Sequence, residues 1–182
     1  NFTSNADTYN TAVGYNAGVA VTTGTVNTLV GGLAGDALTS GNSNVALGYL
    51  ALSADTLGDR AVAIGMNALA SQNFTSSTDS YNVGVGYQAG YLVTTGVQNT
   101  IIGGLAGDSL TSGGSNVAVG YNALSTEDGH GSNTAIGASA LATQNAGANA
   151  YNVAVGASAG QSVTTGIQNT LIGGLAGDAL QD

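Results

Sequence analysis

The sequence of 182 residues has no cysteine, no proline and no tryptophan, and basic side chains are almost missing. Without cysteine there is no disulfide framework and no thiolate metal site or nucleophile. Arg60 is the only Lys or Arg against ten acidic residues, which gives a formal net charge of -9. Because nucleic-acid binding needs several cations to neutralise phosphates, we expect no nucleic-acid partner. No apolar run reaches the length of about eighteen residues that a membrane helix requires, so we predict no membrane insertion.

Small and apolar residues take the place of the missing types. Glycine occurs 30 times, and 43 % of the residues are hydrophobic. Glycine is unfavourable inside helices, so the composition argues against a helical protein. The apolar content argues against a disordered chain. The sequence therefore indicates a folded protein that is held together by something other than local helix propensity.

Repeats at two levels organise the chain. The longer repeat spans about 70 residues and starts at residues 9, 81 and 151. Each copy contains four shorter units, mostly of 17 residues, and the third copy stops after two of them. We interpret residues 1–182 as a single repeat domain with ten short units.

Each short unit carries three fixed positions. A glycine marks every unit and defines its number, from coil 1 to coil 10: Gly14, Gly31, Gly48, Gly65, Gly86, Gly103, Gly120, Gly137, Gly156 and Gly173. Three places later stands an alanine in every unit: Ala17, Ala34, Ala51, Ala68, Ala89, Ala106, Ala123, Ala140, Ala159 and Ala176. Four places before the glycine stands an asparagine, except in coil 4, which has Ala61: Asn10, Asn27, Asn44, Asn82, Asn99, Asn116, Asn133, Asn152 and Asn169. We predict that each column has one structural role along the whole chain.

The pattern inside a unit predicts strands. The five residues that end on the marker glycine, such as 116–120, alternate larger aliphatic residues with a small one, as a strand with two different faces does. A second apolar stretch, such as residues 91–95, ends at a further glycine. We therefore predict two short strands and two turns in each unit, and an all-β, parallel β-solenoid of about ten coils. Equivalent residues would stack about 4.8 Å apart, and the rod would be roughly 50 Å long.

The columns have physical interpretations. We expect the marker glycines at turns whose backbone conformation is closed to other residues, and the alanines where the turn packs too closely for a larger side chain. The asparagines could form an amide ladder along the axis, each side chain bonded to the next. They could also be turn formers that adopt the left-handed conformation. The two interpretations are compatible.

The four coils of each long repeat differ from one another. Seven places after the marker glycine the residues cycle through aliphatic, aliphatic, acidic and amide types. In the second coil, Leu29, Ile101 or Leu171 replaces a small residue, which we interpret as packing against a neighbouring surface. The fourth coil carries insertions at residues 74–80 and 145–150, which we predict to be outward loops.

The unit resembles a known repeat type. Residues 44–52, 60–69 and 133–141 are similar to the head repeats of trimeric autotransporter adhesins and to repeats of phage and algal-virus tail fibre proteins. The resemblance covers all ten units. It implies a left-handed parallel β-roll in which three chains pack side by side as a stiff stalk or head that binds surfaces. The spacing of 17 here exceeds the roughly 14 residues common in adhesin heads, which favours a wider cross-section.

A catalytic interpretation finds little support in the sequence. Hexapeptide-repeat acyltransferases are also trimeric β-helices, but they need a general-base histidine and cations for the phosphates of coenzyme A. The only histidine, His130, stands in a Gly-flanked segment, where a solvated loop residue is favoured over a catalyst. We predict that the chain is not an enzyme and has no cofactor.

Acidic residues form one further constellation. Asp36, Asp108 and Asp178 occupy the same place in each Gly-Leu-Ala-Gly-Asp turn. Around a threefold axis they could form rings that hold Ca²⁺, but we favour the interpretation that each Asp caps its own turn. The pairs Asp55 and Asp59, and Glu127 and Asp128, are interpreted as solvated loop residues.

Threonines recur at one further place, eight residues after the marker glycine. The column contains Thr22, Thr39, Thr56, Thr94, Thr111 and Thr164 and is interrupted elsewhere. A flat threonine ladder could bind ice, but plain β-propensity is the favoured explanation.

These observations favour a non-enzymatic structural fibre, extracellular or part of a virion, that extends and presents surface and assembles with its own copies as a homotrimer or a head-to-tail filament. The alternative is an adhesin head or tail fibre that binds a host-surface receptor or glycan through outward loops and tyrosines. The opening residues 1–4 repeat residues 73–76, which predicts that the chain begins inside a fourth-coil loop. Within residues 1–182 we expect no segment that caps either end of the solenoid, and uncapped strand edges favour end-to-end pairing.

Overall fold

The computed structural model describes residues 7–182, which form a parallel β-solenoid of ten coils. The prediction of this fold class is confirmed. The expectation for the start of the chain, residues 1–4, lies outside the described residues. Ten three-residue strands, one from each coil, form a single parallel sheet: β1 Thr11–Val13, β2 Thr28–Val30, β3 Val45–Leu47, β5 Val62–Ile64, β7 Val83–Val85, β8 Thr100–Ile102, β9 Val117–Val119, β10 Thr134–Ile136, β11 Val153–Val155 and β12 Thr170–Ile172.

The strand register follows the sequence repeat. Each strand residue pairs with the residue 17 places later, as Thr28 does with Val45. The insertions lengthen the spacing to 21 between β5 and β7 and to 19 between β10 and β11, without shifting the pairing. The extra residues therefore leave the sheet intact.

The prediction of a second strand in every coil is wrong. Among the described residues, the second sheet contains only β4, Gly58–Asp59, and β6, Thr78–Asp79. The second apolar stretch is instead made of turns and bends, whose main-chain groups bond the next coil at separate points, such as Thr94 N to Thr111 O at 2.8 Å. Left-handed residues two and four places after the marker glycine turn the backbone just before this stretch, and no strand follows them.

Four positions in each coil have positive φ. The marker glycines have φ between +128° and +140°, a region that L-residues with a side chain rarely enter. The other three are the residue before each asparagine of the column, and the second and fourth residues after the glycine. Ser115 and Asn122, with φ of +59° and +57°, are examples from coil 7. The sharp turns of the solenoid are concentrated at these positions.

The asparagine side chains of the column form hydrogen bonds with the main chain rather than with one another. Oδ1 of Asn99 accepts a hydrogen bond from the main-chain N–H of Asn116 in the next coil, and its Nδ2 donates to the carbonyl of Gly113. None of the nine asparagines has positive φ. Both parts of the sequence interpretation therefore need correction: the ladder joins side chains to main chain, and the left-handed residue is the preceding one.

The solenoid interior is filled by side chains of complementary size. The middle residue of each strand points inward, and Leu29 and Ile101 are fully buried there. A Cβ on Gly18 or Gly35 would lie 2.6 or 2.8 Å from a Cδ atom of Leu29, so the leucine occupies the space above these glycines. The expectation that this bulk packs against a neighbouring surface is wrong, because the side chain fills the core of its own chain.

In coils 3, 4, 7 and 8 the large side chain that fills the interior comes from a different position. Their middle strand residue is alanine, and a buried leucine stands four places after the marker glycine: Leu52, Leu69, Leu124 and Leu141. These leucines have φ between +48° and +54°, which costs about 1–2 kcal/mol each. Burying a leucine contributes about 1.5–3 kcal/mol, so the gain offsets the strain.

The two insertions differ from each other. Phe74 is only 5 % exposed and packs beside Gly58, and β6 pairs with β4, so residues 74–80 are partly folded back onto the solenoid. The prediction of an outward loop is therefore wrong for Phe74 and for β6 in the first insertion. Residues 145–149 are mostly exposed, and Ala150 is buried.

Candidate functional site: an apolar sheet face and a polar cluster

The outward side of the ten-stranded sheet is a continuous uncharged surface, which we call the apolar sheet face. It arises because the first and third residues of each strand point away from the core, while the middle residue is buried in every strand of this sheet except the terminal β1 and β12. The third residues form an aliphatic column: Val13, Val30, Leu47, Ile64, Val85, Ile102, Val119, Ile136, Val155 and Ile172. The first residues are Thr or Val in every strand. Leu47 is 44 % exposed and Ile102 39 % exposed.

Tyrosines border this face. All eight tyrosines are exposed. Four stand directly after the marker glycine and form what we call the tyrosine column: Tyr15, Tyr49, Tyr87 and Tyr121. In coils 2 and 6 this place is occupied by Gly32 and Gly104, and a Cβ on Gly32 would lie 3.4 Å from the Tyr49 ring. The glycine thus makes room for the ring of the following coil.

The single arginine lies outside the strands, two residues before β5. Arg60 forms an ion pair with Asp79, and its guanidinium lies 5.9 Å from the centre of the Tyr81 ring. Both charged side chains are about half exposed. Arg60 therefore joins coil 4 to the insertion that follows it, a contact of modest energy because exposed ion pairs are screened by water.

A cluster of buried polar side chains extends from coil 3 to coil 5. Gln72 donates from Nε2 to Oδ2 of Asp55 at 2.6 Å and accepts at Oε1 from Nδ2 of Asn82 at 2.9 Å, and all three side chains are fully buried. The main-chain N–H of Gly58 donates to Oδ1 of Asp55. Burial raises the pKa of the Asp55 carboxyl above its usual value, while the bonds from Gln72 and the main chain act in the opposite direction. Each polar atom of Asp55 therefore has a partner.

The corresponding place in coil 7 is built differently. Glu127 is fully buried, and its Oε1 lies 3.2 Å from both the main-chain N and the Nδ1 of His130. Oε2 of Glu127 has no hydrogen-bond partner, and neither has Nε2 of the buried Gln144. Burial raises the pKa of Glu127, and the bonds from His130 oppose this shift. Asp128 is exposed and has Oδ1 at 3.9 Å from Nδ1 of His130.

The solvated-loop interpretation is therefore wrong for three of the four acidic residues. Asp55 and Glu127 are fully buried, and Asp59 is 6 % exposed and bonded to Ser77 and to the main chain of Asn42. Sequence reasoning missed them because acidic residues are usually solvated. A signal existed: the same column holds Val21 and Leu38 in coils 1 and 2, which marks the position as inward.

The three aspartates named as calcium candidates do not meet within one chain. Asp36, Asp108 and Asp178 stand in coils 2, 6 and 10, so neighbours in the series are four coils, or about 19 Å, apart. Burial raises the pKa of Asp36 and of Asp108, and nearby main-chain N–H groups oppose the shift. Oδ1 of both residues is buried without a hydrogen-bond partner. Capping by this oxygen is therefore not seen in either turn.

The threonine hydroxyl groups of the column donate hydrogen bonds to carbonyls of the same chain. Thr22 donates its hydroxyl to the carbonyl of Thr39 at 3.2 Å, Thr39 to that of Thr56, and Thr94 to that of Thr111. The hydroxyl protons therefore serve the stacking of coils. Hydrogen bonding between coils is sufficient to explain why threonine recurs in this column.

The surface of residues 7–182 has no pocket, and no helix capable of crossing a bilayer occurs in this part of the chain. No family model, curated protein or solved structure matches the chain. The resemblance to adhesin heads and tail fibres accordingly stays a prediction, as does the expectation that the chain is not an enzyme.

Proposed function

We propose that this chain is a structural segment of an extracellular fibre, on a cell surface or a virion, and that it assembles with its own copies. The observation that carries the proposal is the apolar sheet face, which runs through all ten coils without a charged residue. Monomeric soluble proteins rarely expose a large contiguous apolar patch unless it is an interaction site.

The stacking of the coils supports a role in extending and stiffening. Strand ladders bond each coil to the next along the axis, and the asparagine and threonine columns add bonds between many of the neighbouring coils. Ten coils at about 4.8 Å each give a rod of nearly 50 Å. Since every coil is anchored to its neighbours at several points, the rod resists bending, which a spacer or stalk requires.

Charge distribution supports self-association through this face. The ten acidic residues give repulsion between copies, but none lies among the outward strand residues of the sheet. Flat arrays of Val, Ile and Thr pack well against similar arrays. A second and a third copy of the same chain are thus suitable partners, in a lateral homotrimer or in a filament.

We expect charge on the apolar sheet face to block assembly without unfolding the coil. The double variant Leu47→Arg, Ile102→Arg places two cations at exposed outward positions, where a lateral contact would have to desolvate them. The matched control is Thr95→Arg, an exposed site outside the strands. Light scattering and electron microscopy of each protein measure mass and shape, and circular dichroism checks the fold.

The parent and the control should form trimeric rods or filaments, and the double variant should be monomeric with an unchanged spectrum. A parent that stays monomeric at all concentrations would contradict self-assembly. Equal assembly of the double variant would show that another surface forms the contact.

A second function, recognition of a host-surface receptor or glycan, is supported by the tyrosine column. Four rings recur along one side of the rod, and tyrosine is favoured at binding surfaces because it combines an apolar ring with a hydroxyl. The rings of Tyr49 and Tyr121 have Gly32 and Gly104 beside them, which leaves them accessible.

We expect the variant Tyr49→Ala, Tyr87→Ala to lose binding to a glycan array or to host cells if the column is the contact surface. Tyr91→Ala removes an exposed tyrosine outside the column and serves as the control. Loss in the column variant alone, with assembly unchanged, would favour recognition over a purely structural role. Absence of any binding by the parent would contradict it.

A further inference from the structure

Three potential metal ligands converge in coil 7. One ligand atom from each of Glu127, Asp128 and His130 lies within 4.8 Å of the other two. Nδ1 of His130 is 3.2 Å from Oε1 of Glu127 and 3.9 Å from Oδ1 of Asp128. Bonds of about 2.0–2.2 Å to an ion place neighbouring ligand atoms roughly 3–3.5 Å apart. The pair from Glu127 and His130 already has this spacing, and the carboxylate oxygen of the exposed Asp128 lies slightly farther from the imidazole.

Glu127 gives an independent reason to expect a cation. Its side chain is fully buried, and Oε2 has no hydrogen-bond partner. A buried carboxylate is costly unless it is paired or coordinates a metal. The only Lys or Arg of the sequence is Arg60, which is bonded to Asp79, so neither a lysine nor an arginine pairs with Glu127.

The repeat supplies an internal comparison. The equivalent carboxylate of coil 3, Asp55, has partners for both oxygens, Gln72 and Gly58 among them. In coil 8 Gln144 takes the place of Gln72, but its Nε2 donates to neither oxygen of Glu127. His130 stands where the other coils without an insertion have glycine: Gly24, Gly41, Gly58, Gly96, Gly113 and Gly166. The histidine carbonyl still accepts the bond from Asn116 Nδ2 that a glycine carbonyl accepts elsewhere. Stacking therefore explains the carbonyl of His130 but not its imidazole.

We propose that Glu127, Asp128 and His130 form a binding site for one divalent transition-metal ion. One imidazole nitrogen with two carboxylates is a ligand set that zinc accepts, whereas calcium prefers oxygen ligands alone. Three protein ligands leave at least one position open to water or to a group from another molecule. The site is separate from the apolar sheet face, so it does not depend on self-assembly.

Zinc titration of the full chain by calorimetry tests this proposal. The variant Asp128→Thr, His130→Gly installs the residues that the chain itself has at Thr56 and Gly58, so its fold should be kept. The control is Asp178→Asn, which removes an exposed carboxylate in coil 10. We expect one zinc ion per chain for the parent and control, and binding weaker by about tenfold or more for the double variant.

A second measurement uses thermal melting. Zinc should raise the melting temperature of the parent and not that of the double variant, because a ligand of the native state stabilises it by mass action. No zinc binding by the parent would overturn the proposal. Equal binding by the double variant would place the ion elsewhere and overturn it too. Calcium binding as tight as zinc, with no effect of removing His130, would show an oxygen-only site and contradict the assignment.

Discussion

Replacing Gly120 by valine is expected to prevent the chain from folding or to lower its stability severely. A Cβ at this position would lie 2.5 Å from both the carbonyl C and O of Gly137 in the next coil. Main-chain atoms cannot move aside without breaking the strand register between β9 and β10. The φ of +136° adds strain for any residue with a side chain. Overpacking of about 1–3 kcal/mol and strain of a similar size together remove much of a typical domain stability of about 5–15 kcal/mol.

Circular dichroism and thermal or denaturant unfolding measure this effect, and Gly147→Ala provides the matched control. Gly147 also has positive φ, +70°, but no atom lies within 4 Å of where its Cβ would be. Its substitution should cost only about 1–2 kcal/mol, the strain of a left-handed residue. If Gly120→Val melted like Gly147→Ala, the close approach between successive marker glycines would not determine stability.

The arrangement of the coils could be predicted because each coil stacks on the next, so the same residue type recurs at the same position in successive units. The interval of 17 residues gives the register between strands, and the five residues 116–120 contain β9 as predicted. The second strand could not be excluded in the same way, because its apolar residues have a composition typical of strands. The chain forms a run of turns instead, which starts at left-handed residues such as Asn122 and Leu124 just before this stretch, and leucine gives no sign of that conformation. The backbone there is imposed by packing, not by local preference.

The direction of side chains was harder to infer than their spacing. Leu29 and the glycines at 18 and 35 are each unremarkable in sequence, and only the solenoid brings them together across two coils. Asp55 and Glu127 share an inward column with valine and leucine, but their charge suggested solvent. The acid and amide of adjacent coils make sense as a pair only once the vertical stacking is known, as the bond between Gln72 and Asp55 shows. Long-range pairs of this kind are not contained in any short motif.

The asparagine column offers a second substitution with a large expected effect. Asn99→Leu removes the acceptor of the Asn116 N–H and the donor to the Gly113 carbonyl, and both main-chain groups are in the buried part of the coil. Each buried polar group left without a partner costs about 1–3 kcal/mol, so we expect a loss of roughly 2–6 kcal/mol. Denaturant unfolding of the parent and variant measures the difference in the free energy of unfolding.

The neighbouring substitution Gln98→Leu is the control, because Gln98 is exposed and outside the ladder. It should change stability by less than about 0.5 kcal/mol. Coil 4 is the one coil of the sequence without the asparagine, and another residue lies near the main-chain N–H that the asparagine would otherwise bind. Where Ala61 replaces the asparagine, the N–H of Asn82 lies 3.4 Å from Oγ of Ser80, a residue of the following insertion. Coil 6 has no insertion that could supply such an acceptor for the N–H of Asn116, so the loss of the Asn99 side chain is uncompensated. If Asn99→Leu were as stable as the Gln98→Leu control, the ladder would contribute no stability.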